Sequence, residues 1–217
     1  MKNIALEYRK YFMNRSYLVS FSISLFVFIV AVIANTYSGL YATESMGNYV
    51  SDIILDNTPI VDVGFVFVYG SVIFWVFAIL YLIKEPKHIP FVFESIAVFI
   101  IIRSFFVSLT HFGPFPGAAE INYTSEFLKS FISGGDYFFS GHTGLPFLMA
   151  LVFHQNKRLF IFFTLSAIFF GIMALLGHLH YSIDVLSAFF ITYTIYKITE
   201  KLFPEDRKLF YAGIVSE

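Results

Sequence analysis

The chain contains no cysteine. That removes a disulfide framework and a thiolate metal site from consideration. Charge is also scarce. Only 13% of the 217 residues are Asp, Glu, Lys or Arg, against roughly 25% in a soluble domain. The net charge is −1, so electrostatics gives no support to nucleic-acid binding. Internal repeats and low-complexity tracts are missing too, and residues 1–217 read as a single domain.

What the chain has in excess is apolar bulk. Hydrophobic residues make up 58% of it, and phenylalanine alone occurs 30 times. A soluble fold of this size has no interior large enough to hide so much. The expected class is all-α, a polytopic membrane protein. A helix needs ~20 apolar residues to cross ~30 Å of hydrocarbon. Apolar runs predict spans over about residues 17–35, 63–83, 89–110, 159–176 and 183–203, with a shorter one over about 140–154. The expectation is a six-transmembrane-helix bundle. The first run exceeds the roughly 7–15 apolar residues of a cleaved signal, so it reads as a retained anchor.

Lys and Arg are distributed unevenly. Lys2, Arg9, Lys10 and Arg15 precede the first run, Lys84 and Lys87 follow the second, and Lys157 and Arg158 precede the fifth. Lys197, Lys201, Arg207 and Lys208 lie near or beyond the end of the sixth. The alternate connections hold Lys129 against Glu44, Asp52, Asp56, Asp62, Glu120, Glu126 and Asp136. By the positive-inside rule this predicts cytoplasmic termini. It places residues 134–143 and 178–185 at the non-cytoplasmic face.

Those two stretches carry the chemistry. Gly134-Gly135-Asp136-Tyr137-Phe138-Phe139-Ser140-Gly141-His142-Thr143 ends at the mouth of the fourth apolar run. A helix start offers backbone N–H groups to an anion, and glycine permits close approach. Ser140 and Thr143 add hydroxyl donors. His142 is a general acid or base near neutral pH. The plainer alternative makes Ser140 an ordinary helix cap and His142 an interfacial residue. Asp136 either bonds a head group or shapes the loop after two glycines.

The second stretch is His178-Leu179-His180-Tyr181-Ser182-Ile183-Asp184-Val185. His180 and Asp184 are four apart and share a helix face. A carboxylate there fixes the imidazole tautomer and stabilises its cation, leaving the other ring nitrogen to attack phosphorus. The alternative is that Asp184 caps the sixth span beside a chance histidine. His178 reads as structural or supporting. Arg103 lies ~20 Å along the third span at ~1.5 Å per residue, near the level of both motifs. An arginine inside a span is a functional candidate. Glu94, nine residues earlier, is about half a turn out of phase and does not face it.

Gly135-Asp136-x-x-x-Ser140-Gly141-His142-Thr143 followed by His180-Tyr181-Ser182-x-Asp184-Val185 resembles the sphingomyelin synthase family, within the type-2 phosphatidic acid phosphatase superfamily. Arg103 followed by Pro114-Phe115-Pro116-Gly117 extends the likeness. Tyr193, and Asp62 after Thr58-Pro59, fit it loosely. The resemblance implies a catalytic triad of His142, His180 and Asp184. In it His180 attacks phosphorus, Asp184 supports His180, and His142 shuttles the proton. Arg103, Asp136, Ser140, Gly141, Thr143 and Tyr181 would then meet the substrate. Implied partners are a phospholipid donor and a lipid alcohol acceptor (ceramide or diacylglycerol) or water. No cofactor and no metal is expected. The pattern departs from the superfamily's phosphatases, whose Lys-x6-Arg-Pro motif is missing. Ala174 stands where they carry an Arg six residues before the second His.

Three other readings compete. One is a monoester phosphatase acting on phosphatidate or an isoprenyl pyrophosphate. Another is a transporter or scaffold in which the histidines tune pH dependence. The third is a metal site of two His and one carboxylate, which the anion-friendly glycine-rich helix start disfavours.

Overall fold

The computed structural model describes residues 4–119 and 137–214. Among these residues there are helices and connecting segments but no strand. The helices are α1 (Ile4–Phe12), α2 (Arg15–Glu44), α3 (Gly64–Lys84), α4 (Ile89–Leu109), α5 (Gly141–Val152), α6 (Lys157–Leu176), α7 (Ser182–Leu202) and α8 (Pro204–Ala212). Short 3-10 turns at Leu55–Asn57 and Pro86–His88 punctuate the connections.

Hydroxyl groups lengthen the first long helix beyond its apolar run. Asn14 caps α2 by accepting the Tyr17 N–H. The polar residues after Asn35 were expected to leave the helix. Instead Thr36, Ser38 and Thr43 donate to carbonyls three or four residues back. Their polarity is satisfied locally, and α2 continues to Glu44.

Helices α2, α3, α6, and α4 with the turn before it, are long and apolar enough to cross a bilayer. The other two expected spans do not meet that standard. α5 has 12 residues, ~18 Å at 1.5 Å each, well short of ~30 Å of hydrocarbon. α7 has 21 residues, but Asp184, Lys197, Glu200 and Lys201 punctuate it. The outward faces are apolar all the same: Phe65 is 75% exposed and Phe190 76%, while Phe91, Phe99 and Phe163 are fully buried. An exterior as apolar as the interior suits lipid rather than water.

α2 lies along α4, α3 packs on α6, and α5 is enclosed by α4, α6 and α7. Pro146 inside α5 lacks the N–H that would bond the His142 carbonyl. At one end of the bundle, the Tyr17 hydroxyl donates to Pro86 O (2.8 Å) and Lys87 Nζ to Tyr211 O (3.3 Å), and Phe210 packs on His88. Glu94 is fully buried toward that end, near Asp206. At the other end lie the starts of α5 and α7 and the C-terminal part of α4. There the 45–63 and 110–119 connections pair, with Gly47 N–H donating to His111 O and Gly113 N–H to Asn48 O. A side chain on Gly113 would put its Cβ 2.4 Å from Gly47 O, so only glycine allows this approach.

Gly144 sets how deeply α5 sinks into the bundle. A Cβ there would lie 2.7 Å from the Phe99 ring and 2.9 Å from Thr192 Oγ1. Overpacking of this kind costs about 1–3 kcal/mol. Gly144→Ala is therefore expected to lower the unfolding midpoint in detergent clearly. Gly70→Ala, whose Cβ would meet Phe170 at an ordinary 3.4 Å, is expected to leave it in place.

Candidate active site

The second motif begins with a backbone reversal. α6 closes at Gly177, and His178 takes φ 52°. His178 N–H then donates to Leu175 O and Leu179 N–H to Ala174 O, the paired bonds that end a helix through a left-handed residue. Glycine is usual at such a position. Here a histidine fills it, and its side chain is buried against Phe115 with Nε2 3.5 Å from Thr58 Oγ1. The reversal carries the chain directly into His180.

His180 is buried, at 7% exposure. Its Nδ1 lies 3.0 Å from Tyr137 O and 3.5 Å from Asp184 Oδ2. Both neighbours are acceptors, so Nδ1 carries the proton and Nε2 presents the lone pair. Asp184 has two tasks. Oδ2 also accepts the Tyr181 N–H at 3.0 Å, capping α7. The capping alternative and the imidazole-supporting alternative thus describe one carboxylate.

The first motif meets this one through the backbone, where Ser140 N–H donates to the Asp184 carbonyl at 3.1 Å. Ser140 is the α5 cap. Its Oγ accepts the Thr143 N–H at 3.4 Å and the Thr143 hydroxyl at 3.2 Å. Both residues are fully buried, their hydroxyls engaged with each other. His142 is half-buried, its ring 4.3 Å from that of Phe67. It lies within electrostatic range of both His180 and Arg103.

Arg103 reaches the same place from α4. It is buried, and its Nε donates to Phe139 O at 2.7 Å. A Cβ on Gly141 would stand 3.4 Å from that Nε, so glycine keeps the space over the guanidinium open. Arg103 also acts electrostatically on Asp184. Among the described residues it is the only Lys or Arg at this end of the bundle. His142, His180, Asp184, Arg103 and Gly141 therefore converge from α4, α5 and the start of α7.

Other expected site residues lie elsewhere or are otherwise engaged. The Tyr181 hydroxyl donates to Gly113 O (2.8 Å) and accepts the Val50 N–H (3.2 Å). Burial pushes this phenol above its ordinary pKa, and it stays a neutral donor. Tyr193 is about half exposed, nine residues along α7 from Asp184, or ~13 Å of helix. Asp62 is exposed and caps α3 through the Gly64 N–H. Asp136 lies outside the described residues, as do Gly134, Gly135 and Lys129.

Two contributors were missed from sequence. The Tyr137 carbonyl is the nearest partner of His180. Backbone acceptors leave no residue signature. Asp52, from the connection between α2 and α3, accepts the Ser182 N–H at 2.7 Å and the Ile54 and Leu55 N–H groups at 2.9 and 3.2 Å. Burial alone would raise this carboxyl. The bonds from Ser182, Leu55 and Ile54 outweigh burial and hold it below the usual carboxylate range. A cavity of about 240 Å³ opens beside it, lined in part by Val50, Phe112, Tyr181 and Ile183. The one hint in the sequence was Asp52's place in an acidic outer connection.

Lysine cannot reproduce the Arg103 contact, because it is a point charge without the planar fork of donors. Arg103→Lys is expected to cost about 1 kcal/mol or more through the bond to Phe139. Thermal unfolding in detergent would register this as a lowered midpoint despite the conserved charge.

Comparison with known proteins adds one match. No curated protein and no solved structure gives a significant match to the chain. A family model described as PAP2 superfamily C-terminal matches residues 133–202. That stretch holds both motifs and all of α5, α6 and α7, about a third of the chain. It supports the PAP2 superfamily, and with it chemistry of the membrane phosphatase or phosphotransferase type, without distinguishing among subfamilies.

Proposed function

We propose that the protein is a membrane-embedded lipid phosphotransferase of the sphingomyelin synthase type. It would cleave a phospholipid diester through a phosphohistidine and pass the head-group phosphate to a lipid alcohol or to water. The observation that carries this reading is the imidazole of His180, held at Nδ1 by Tyr137 O and Asp184 Oδ2. A ring fixed in that way has one free nitrogen and a carboxylate ready for the cation that forms on attack.

The steps follow from those positions. Nε2 of His180 attacks the donor phosphorus, and the bond from phosphorus to the diacylglycerol oxygen breaks. His142, whose cation the negative charge of the bound phosphate would favour, gives its proton to the departing oxygen. The acceptor hydroxyl then returns a proton to His142 and attacks phosphorus, and the P–N bond breaks. Arg103 offsets the phosphate charge throughout. The distribution of Lys and Arg supports a non-cytoplasmic face for this end of the bundle, with cytoplasmic termini. Tyr137 and Phe138, both partly exposed, would give the mouth beside His180 an aromatic lining for acyl chains.

The triad assignment predicts a graded series. His180→Ala is expected to abolish turnover. Asp184→Asn should lose roughly 10²–10⁴-fold in kcat, the range of general acid–base contributions. His142→Ala should lose as much on a natural lipid but far less on a nitrophenyl phosphodiester, whose leaving group needs no proton. Equal losses on both substrates would remove His142 from the acid role.

Charge predicts the preferred substrate. A phosphate monoester carries about two negative charges near neutral pH and a diester about one, because only the monoester has a second ionisation near ~6. Arg103 and the start of α5, equivalent to roughly half a positive charge, match one negative charge better than two. Purified protein should therefore turn over labelled phosphatidylcholine or phosphatidylethanolamine, with ceramide or diacylglycerol as acceptor, faster than it hydrolyses phosphatidate. Thin-layer chromatography of the products measures this. Faster phosphate release from phosphatidate would establish the phosphatase reading instead.

A further inference from the structure

Asp52 stands 130 residues from the helix start it touches and outside the stretch matched by the family model. Its geometry suggests more than loop packing. Three donors crowd the entry to α7: the Tyr181 N–H, the Ser182 N–H and Nδ1–H of His180. Asp184 already accepts the first through Oδ2 and faces the third with the same oxygen. Its Oδ1 is buried with no hydrogen-bond partner among the described residues. The Ser182 N–H belongs to the first residue of α7 and so has no acceptor within the helix. Asp52 Oδ2 takes it at 2.7 Å, and Asp52 is itself only 8% exposed.

We infer that Asp52 is a positioning residue for His180, acting by taking the Ser182 N–H and so leaving the Asp184 carboxylate to the imidazole. This rests on the proposed role of His180, but its physical content does not depend on which lipid is the substrate. Without the Asp52 carboxylate, the Ser182 donor turns to the nearest remaining carboxylate, Asp184. Asp184 then swings toward the helix start and away from Nδ1. The connection between α2 and α3 thereby controls the carboxylate support of His180, whose Nδ1–H would otherwise rest on Tyr137 O alone.

Two substitutions separate this from simple tethering of the loop. Asp52→Asn keeps the shape. Its single carbonyl oxygen stays with the two loop donors, Ile54 and Leu55, so its NH2 faces Ser182 and the bond from the Ser182 N–H is lost. Ser182→Pro removes the competing donor itself. Proline is favoured at the first position of a helix, and the preceding Tyr181, at φ −69° and ψ 156°, already has the extended backbone that a following proline requires.

The experiment uses the full chain in nanodiscs. It reads histidine-selective ¹⁵N NMR, with the His180 signals assigned by their loss in His180→Gln, and kcat and KM on the best lipid donor. Asp52→Asn is expected to shift the His180 signals from their wild-type positions, as Nδ1–H loses its carboxylate partner and keeps only Tyr137 O. It should also lower kcat about tenfold, some 1.4 kcal/mol of barrier, with KM within about twofold. Ser182→Pro alone, and the Asp52→Asn/Ser182→Pro double variant, should both show wild-type His180 signals and a kcat within about threefold of wild type. A double variant no better than Asp52→Asn, or a Ser182→Pro variant equally impaired, would overturn the inference and make Asp52 a tether. Unchanged His180 signals in Asp52→Asn would overturn it as well. If Asp52→Asn alone does not fold, the double variant decides: a folded protein with wild-type His180 signals supports competition, and an unfolded one refutes it. Were the wild type to turn over no lipid, the enzymatic reading would fall and the NMR comparison would still decide this one.

Discussion

The arrangement depends on one constraint: the Nδ1 edge of His180 faces two acceptors and no donor. Tyr137 O at 3.0 Å and Asp184 Oδ2 at 3.5 Å leave a single tautomer. Everything near it serves that contact. The left-handed turn at His178 delivers His180 from the end of α6. The Ser140 N–H ties the α5 cap to the Asp184 carbonyl, so the two motifs move as one piece. Arg103 fixes Phe139 O, two residues after Tyr137.

The bundle divides its work between its ends. Lys and Arg gather at one, together with α1, the Pro86–His88 turn and α8. The other has Arg103 as its only cation among the described residues, beside two histidines and a carboxylate. Outer connections cover this end by backbone pairing: Val61 N–H donates to Leu176 O, and Ala119 N–H to Gly177 O. Beside the buried Leu55 and Val63, these connections are held by glycine contacts and by Asp52 and Tyr181. The first half of the chain thus shapes a site whose motifs lie in the second.

Local features were legible in the sequence and distant ones were not. The spacing of His180 and Asp184 fixed their proximity, because residues four apart on a helix must be neighbours. Counting rise per residue put Arg103 at the depth of the motifs, and its guanidinium meets Phe139 and Gly141. Apolar runs located α3, α4 and α6 closely. The length of α2 was hidden because hydroxyls that bond their own helix look like loop residues. Of the six expected spans, four among the described residues are long and apolar enough to cross, while α5 is short and α7 is punctuated by charge. Of the two hydroxyls read as donors to an anion, that of Thr143 is given to Ser140 Oγ, while Ser140 accepts at the cap and keeps its own O–H to donate. Asp52 was illegible for a plainer reason: nothing local ties residue 52 to residue 182.

The central claim is that Nε2 of His180 is the nucleophile, because Nδ1 is occupied. Its most direct measurement is rapid quenching of the full-length protein during turnover of a phospholipid labelled at phosphorus, followed by mapping of the acid-labile label. The account predicts one phosphohistidine, at Nε2 of His180, absent in His180→Gln. Label at Nδ1 of His180, label on His142, or steady turnover with no covalent intermediate would contradict it.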